Sequence, residues 1–203
     1  MYGYWYKTGI LRYKATLALL TINTIFYIVE SILSGNPFYI SDNVLAILGQ
    51  YNILVLRYKW WWQLITSMFV HLNIGHFLIN MFFLYILCID YERLFGQGSL
   101  ILTYLICGLS GNLLTLLFYP PYTISGGASG ALFGIFAALI VFGGIIGGNI
   151  KMMLAYGVLI FVLNMGFGIN VFAHFGGFVI GALIGYYYAR RAKGYYTVRT
   201  YYY

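Results

Sequence analysis

Long apolar runs, each closed by a short polar or glycine-rich stretch, constrain this chain more than any other feature of its sequence. A run of about 20 apolar residues matches the hydrocarbon core of a bilayer, because a helix rises about 1.5 Å per residue. Hydrophobic residues make up 62% of the chain and charged residues only 7%, which excludes an ordinary water-soluble domain. The sequence therefore predicts an all-α, polytopic membrane protein.

Six of the apolar runs are predicted to be membrane spans, and one further run is too short to cross. Residues 43–56 are apolar for only about 14 positions, so we expect the connection over residues 35–62 to lie partly embedded in the membrane interface. Trp60, Trp61 and Trp62 are suited to anchor this connection at the level of the headgroups. The predicted spans are about 15–33, 65 or 71 to 88, 99–118, 129–146, 152–165 and 171–188.

The placement of charge predicts the orientation in the membrane. Lysine and arginine number 11 against 4 acidic residues, which gives a net charge of +7. With six spans, all of these cations except Arg57 and Lys59 fall on the face that carries both termini. By the positive-inside rule we expect a multi-pass protein of the cell membrane with both termini in the cytoplasm. Cations that flank membrane spans indicate the lipid bilayer as partner and no nucleic acid.

One segment combines a hydroxyl group with very little side-chain bulk. Ser129 follows Gly127 and Ala128 and precedes Gly130, at the predicted start of the fourth span. A helix start presents unpaired N–H groups and the positive end of the helix dipole, so an oxyanion formed beside Ser129 would find donors. Taken alone, the segment favours a simpler interpretation, a small-residue packing seam in which Ser129 caps the helix.

Polar side chains inside the predicted spans change that interpretation. All three histidines lie in or at the edge of spans, where polar groups are costly and mark functional sites by default. His76 and Asn80 are four residues apart and share one helix face. Counted at about 1.5 Å per residue from the charged cytoplasmic ends, His76, Asn80 and His174 are expected in the outer half of the membrane. Ser129, at the outer start of the fourth span, belongs to the same layer. They are the components of an acyl-transfer site.

Glycine spacing predicts how two spans approach each other. His174, Gly177 and Gly181 recur at intervals of three and four residues, and Gly130 begins a similar groove on the fourth span. Two such faces bring the Ser129 hydroxyl within hydrogen-bond reach of the His174 ring.

The four carboxylates are predicted to lie away from His174. Glu30 is near the outer end of the first span, where it is expected to extend towards the interface. Asp42 is in the outer connection, and Asp90 and Glu92 are at the opposite membrane face. The sequence therefore predicts a Ser–His dyad with no third member.

Taken together, these residues resemble the rhomboid family of intramembrane serine proteases. The resemblance covers about residues 15–190 and implies one rhomboid domain over residues 1–203, a six-transmembrane-helix bundle with short cytoplasmic tails of about 1–14 and 190–203. The matching motifs are Gly127-Ala128-Ser129-Gly130, Ala173-His174-Phe175-Gly176-Gly177 with Gly181, and His71-x4-His76-x3-Asn80.

The resemblance implies the roles of the site residues. Ser129 would be the nucleophile and His174 the general base and then acid. His76 and Asn80, with the backbone N–H of Ser129, would stabilise the oxyanion. His71 is similar to the family's outer histidine, whose role is structural.

Other positions would support these groups. Phe133 is similar to an aromatic position that packs on the catalytic histidine, and Gly127, Gly130, Gly177 and Gly181 would allow close approach. The sequence departs from the family at Trp62-Gln63, where many members carry Trp-Arg, which leaves open how the outer connection is anchored.

The implied reaction is hydrolysis of a peptide bond in or beside a transmembrane helix of a membrane-protein substrate, without a cofactor or metal. A helix hides its carbonyl groups, so substrate must unwind locally and water must reach Ser129 from outside. We expect Gly166-Phe167-Gly168 to hinge a mobile cap over the site, and the fifth span to move to admit substrate.

Three alternatives remain open at this stage. A rhomboid-like binding or chaperone protein would share the fold without catalysis, although such relatives typically lack the serine or histidine that are both present here. A transporter could use the histidines as a proton path, but the chain lacks paired intramembrane carboxylates and broken-helix symmetry. Metal binding by the histidines lacks Cys or carboxylate partners at close spacing.

Overall fold

The computed structural model describes residues 10–163 and 170–201, with side-chain surroundings for residues 11–160 and 170–192. Five of the described helices are long and apolar enough to cross a membrane, which confirms a polytopic helical bundle. They are α1 (Lys14–Ser34), α5 (Ile74–Phe95), α6 (Gln97–Phe118), α7 (Ser129–Ile146) and the Val171–Ala192 part of α9 (Val171–Tyr201).

The predicted fifth span coincides with a shorter helix. α8 (Ile150–Leu163) has 14 residues, and its apolar part covers Ile150–Ile160. The last residues of the predicted 152–165 span, and the expected hinge Gly166-Phe167-Gly168, lie outside the described residues. The count of six spans therefore stays a prediction.

The prediction for the start of the second span was wrong. α5 begins later than predicted because Asn73 caps it, its side chain accepting a hydrogen bond from the N–H of His76 at 2.8 Å. The helix continues past residue 88 to Phe95 and ends where Gly96 follows with a φ of 83°. A separate turn, α4 (Gln63–Thr66), precedes α5.

The outer connection is built from short elements. Gly49 divides its apolar run into α2 (Asp42–Leu48) and α3 (Asn52–Tyr58), with the strand β1 (Gln50–Tyr51) between them. β1 pairs antiparallel with β2 (Ile124–Ser125), which lies just before Ser129. This two-stranded sheet, which the sequence did not predict, joins the outer connection to the segment that carries the serine.

Gln63 anchors the outer connection in place of an arginine. Its Nε2 donates to the carbonyl of Ala46 at 2.7 Å and to that of Ile47 at 3.1 Å. Its Oε1 accepts from the N–H of Tyr51 at 3.0 Å. A neutral amide thus satisfies three backbone groups, which answers the question raised by the Trp62-Gln63 departure.

The core is centred on α7, which packs on α9 along a glycine seam. A Cβ atom placed on Gly177 would overlap the carbonyl oxygen of Gly130, and one placed on Gly181 would overlap that of Gly134. Backbones can approach this closely only where side chains are absent. The seam begins one turn below Ser129 and His174, so it sets the distance between the two helices at the predicted site.

Candidate active site

Ser129 and His174 are in hydrogen-bond contact. The His174 Nε2 atom lies 2.9 Å from the Ser129 Oγ atom, across 45 residues of sequence. His174 is buried and Ser129 is half-buried. This is the arrangement in which an imidazole can take the proton of a serine hydroxyl.

Three helices begin at this point. α5 starts at Ile74, two residues before His76, α7 starts at Ser129 itself, and α9 starts at Val171, three residues before His174. The first turn of a helix leaves N–H groups without an intrahelical acceptor and carries the positive end of the helix dipole. The start of α7 offers such N–H groups beside the Ser129 hydroxyl, whereas the N–H groups of His76 and Ala173 are held by Asn73 and Asn170.

Gly127 lets the His76 ring lie close to the serine. A Cβ atom placed on Gly127 would lie 2.8 Å from His76 Cε1, 3.0 Å from His76 Nε2 and 3.6 Å from Ser129 Oγ. The φ of Gly127 is 137°, a conformation that residues with side chains rarely adopt. Its N–H donates to the carbonyl of Ser67 at 2.8 Å, which fixes the segment.

Asn80 lies one turn below His76 on α5. Its Nδ2 donates to the carbonyl of His76 at 2.8 Å, and its Oδ1 is buried with no hydrogen-bond partner among the described residues. The amide nitrogen carries two hydrogens, so the bond to the helix backbone leaves one donor on the amide.

Phe133 supports the histidine from α7. Its ring stacks on that of His174, with 4.2 Å between ring centroids and 21° between the planes. The contact restricts rotation of the His174 ring because both ring faces are parallel and close.

His71 is fully buried next to His76 and outside α5. Its N–H donates to Glu30 Oε2 at 3.1 Å, and its ring Nδ1 lies 3.1 Å from the carbonyl oxygen of Phe69. The His71 and His76 rings meet edge to face, with 5.4 Å between centroids. Burial, with a smaller effect of His76, lowers the pKa of His71 to about 3, so its ring is neutral at physiological pH.

The prediction that Glu30 extends towards the interface was wrong. Its side chain is buried, because the N–H of His71 offers a donor inside the protein. Two of the three other acidic groups are engaged away from His174: Glu92 with Thr16, and Asp90 with Arg93. Among the described residues, no group of three or more His, Cys, Asp and Glu side chains is arranged to hold a metal ion.

A cavity of about 870 Å³ adjoins the Ser–His pair. Ser129, His174, His76 and Asn80 all line it, so the four residues share one space. The rest of its wall is mainly apolar. It includes side chains of α5, α7 and α8, among them Phe83, Ile86, Phe136, Tyr156 and Ile160, and residues of the segments that precede α5, α7 and α9. Such a mixture of apolar wall and few polar groups is typical of a ligand site.

A profile of the rhomboid domain matches residues 58–191 of this chain. The chain belongs to the rhomboid family. Several curated relatives of this rhomboid are named as proteases, which supports a protease at the level of the family.

The relatives differ in how much of their own length this rhomboid covers. It is 33% identical over 162 residues to rhomboid protease GluP of Bacillus subtilis. The matched residues are 76% of this chain but only 30% of GluP. It is 28% identical over 189 residues to the putative rhomboid protease YdcA of the same organism, covering 89% of this chain and 92% of YdcA. Rhomboid-like protease 3 of Toxoplasma gondii is also 28% identical, covering 88% of this chain and 71% of that protein. The rhomboid thus spans less than a third of GluP but most of YdcA.

Sequence reasoning missed two asparagines that hold the site of this rhomboid in place. Asn73 caps α5 and Asn170 caps α9. Asn112 donates to the carbonyl of Leu64 at 2.8 Å and to the Ser67 hydroxyl at 2.9 Å. An asparagine directly before an apolar run is a recognised helix-start signal, so both caps could have been found. The contacts of Asn112 depend on residues more than 40 positions away.

Proposed function

We propose that this rhomboid is an intramembrane serine endopeptidase that hydrolyses peptide bonds in or near transmembrane segments of membrane-protein substrates. The observation that carries the proposal is the 2.9 Å contact between His174 Nε2 and Ser129 Oγ, on the wall of a cavity that His76 and Asn80 also line. The family's proteases and the apolar wall of the cavity support a substrate drawn from the membrane.

The proposed chemistry is acyl transfer by a Ser–His dyad. His174 takes the proton of Ser129 as the hydroxyl oxygen bonds to the substrate carbonyl carbon. It then gives that proton to the leaving amine as the C–N bond breaks, which leaves an ester on Ser129. A water molecule, deprotonated by His174, attacks the ester and regenerates the serine.

Negative charge on the substrate oxygen would be stabilised by three groups. These are the His76 side chain, the Asn80 amide and the backbone N–H of Ser129. His76, Asn80 and Ser129 line one cavity, and Ser129 begins α7, where the helix dipole also favours an anion. Removal of one such donor typically lowers kcat by about 10² to 10³.

The remaining predicted residues would support this chemistry without reacting. Phe133 would hold the His174 ring in plane, and His71 would hold the segment before α5 next to His76. The glycines would allow the helix and loop backbones to meet at the distance that the dyad needs: Gly127, Gly130, Gly177 and Gly181.

We infer that substrate reaches the dyad between α5 and α8. Both helices contribute apolar side chains to the cavity, among them Phe83 on α5 and Tyr156 on α8. Substrate would have to unwind locally there, because a helix hides its carbonyl groups. A cross-link between cysteines placed on α5 and α8 should stop cleavage of a transmembrane substrate and leave labelling by a small serine-reactive probe intact. Unchanged cleavage would contradict this route.

We also propose one rhomboid domain over residues 1–203, in the cell membrane with both termini cytoplasmic. The cation distribution supports this orientation, which puts the starts of α5, α7 and α9 near the external face. Water would then reach Ser129 from outside. Reporter fusions at each terminus and at residues 35–62 would test the orientation.

The decisive experiment combines cleavage and labelling. The purified full chain in liposomes is incubated with a single-span substrate, and separately with a fluorophosphonate probe. We expect cleavage and labelling by the wild type, and neither by Ser129→Ala or His174→Ala. The control is Ser99→Ala, which should retain both activities. It removes a hydroxyl near the start of α6 that is bonded to Tyr188 at 2.6 Å. Absence of both activities in the folded wild type would favour a binding or chaperone protein.

A further inference from the structure

Asn170 lies at the point where α9 begins and contacts both the helix and its neighbour. Its Oδ1 accepts from the N–H of Ala173 at 3.0 Å, which is the contact of a helix N-cap. Its carbonyl accepts from the N–H of His174 at 3.2 Å. The residue therefore supplies the acceptors for the backbone of His174 and of the residue before it.

The other end of the Asn170 amide joins α9 to α6. Its Nδ2 donates to the Thr115 hydroxyl at 2.9 Å. The single hydroxyl hydrogen of Thr115 is given to the carbonyl of Gly111 at 2.9 Å, so Thr115 can only accept from Asn170. The amide orientation is thus determined at both ends, because a flipped amide would place N–H groups against the N–H of Ala173.

Thr115 is itself fixed within the protein. It is fully buried, and its carbonyl accepts from Asn52 Nδ2 at 3.3 Å. Asn52 begins α3 of the outer connection. One turn before Thr115, a Cβ atom on Gly111 would overlap the carbonyl oxygen of Ala173, so α6 and α9 touch at this level. The start of α9 therefore has a defined position and rotation on α6.

We propose that Asn170 is a positioning residue that directs His174 towards Ser129 by fixing the first turn of α9 on Thr115. The inference rests on the proposed function, since it assigns a role in the reaction of that same dyad. Rotation of α9 moves the His174 ring, which lies in its first turn, relative to a hydroxyl on α7. Loss of the Asn170 contacts lets this turn rotate while the glycine seam below still holds α7 and α9 together.

The test compares two buried hydroxyls on α6. Thr115→Val removes the partner of Asn170, and Thr103→Val removes a matched buried hydroxyl that bonds Tyr91 at 2.7 Å near the other end of the helix. We expect Thr115→Val and Asn170→Ala to lower kcat about ten-fold or more, with KM changed less than about two-fold. Thr103→Val should keep kcat within about two-fold of wild type at a similar thermal stability.

Two further variants separate positioning from general stability. Asn170→Asp keeps the acceptor for Ala173 but has no N–H to donate to Thr115, so its kcat should stay close to that of Thr115→Val. The double variant Asn170→Ala/Thr115→Val should be no slower than the slower single variant, because each single variant already removes the hydrogen bond between Asn170 and Thr115. The rate of fluorophosphonate labelling should fall in parallel with kcat, because this probe reports the serine without a transmembrane substrate.

The outcomes distinguish this inference from the proposed function. Equal kcat values for Thr115→Val and Thr103→Val, or a wild-type kcat in Asn170→Asp, would overturn the positioning role while wild type stays active and Ser129→Ala inactive. A folded wild type that neither cleaves nor labels would instead overturn the proposed function.

Discussion

Glu92 accepts two hydrogen bonds from Thr16, one from its backbone N–H at 2.8 Å and one from its hydroxyl at 2.7 Å. The N–H of Ala15 adds a third at 3.2 Å. The pair joins the end of α5 to the start of α1, at the opposite end of α5 from His76. A carboxylate at this position also complements the positive end of the α1 dipole.

Replacement of Glu92 by glutamine should destabilise the bundle without changing its chemistry. The variant loses charge-assisted bonds to the α1 backbone, so we expect the free energy of unfolding to fall by about 1–3 kcal/mol. Thermal denaturation in detergent measures the change. Asp90→Asn is the control on the same helix, since its ion pair with Arg93 is exposed and should contribute little. Equal losses in the two variants would contradict the role of Glu92.

Replacement of Gln63 by alanine should loosen the outer connection. The change leaves the carbonyls of Ala46 and Ile47 and the N–H of Tyr51 without their partner, so amide hydrogen exchange over residues 42–58 should accelerate. Gln97→Ala, at the exposed start of α6, serves as the glutamine control. Unchanged exchange in Gln63→Ala would show that other contacts hold this segment.

Replacement of Gly181 by alanine should separate α7 from α9. The added methyl group would overlap the carbonyl oxygen of Gly134, so the helices must move apart and the distance between Ser129 and His174 must grow. We expect kcat to fall about 10²-fold, because misplacement of reacting groups by about 1 Å has an effect of that size. Gly98→Ala is the control, since a Cβ atom there meets nothing within 4 Å. Similar activity in both variants would count against the seam.

Replacement of Gly127 by alanine should abolish most activity and retain the fold. The methyl group would enter the space between His76 and Ser129, in a backbone conformation that disfavours a side chain. We expect a loss of kcat of about 10²-fold or more, measured by substrate cleavage beside the rate of probe labelling. Gly35→Ala, also at positive φ but in open space, controls for backbone strain alone. An active Gly127→Ala variant would argue against the His76 contact.

The sequence predicts most of the long helices because their apolar runs are long enough to cross a bilayer on their own. The start of α7 at Ser129 was predicted correctly, since Pro120, Pro121 and the glycines leave no earlier position for a helix. The contact of Ser129 with His174 followed from small residues at helical spacing on both spans. These signals are local, and each is present in a few consecutive turns.

The polar contacts could not be predicted in the same way. Glu30 and Glu92 each accept a hydrogen bond from a backbone N–H on another segment, and no spacing in the sequence indicates such a partner. The sheet between β1 and β2 has only two residues in each strand, too few for an alternating pattern. The burial of Glu92 is a tertiary effect that its exposed charged neighbours, Asp90 and Arg93, do not indicate.

The glycine seam has a consequence for how such a protein can open. Ser129 and His174 stand on two helices whose backbones are in direct contact at Gly130 and Gly177, so neither helix can shift alone without breaking that contact. Any movement that admits a substrate must then involve helices at the periphery of the bundle. In the proposed mechanism, substrate admission and bond cleavage are then mechanically independent, because the gate can move while the distance between Ser129 and His174 stays constant.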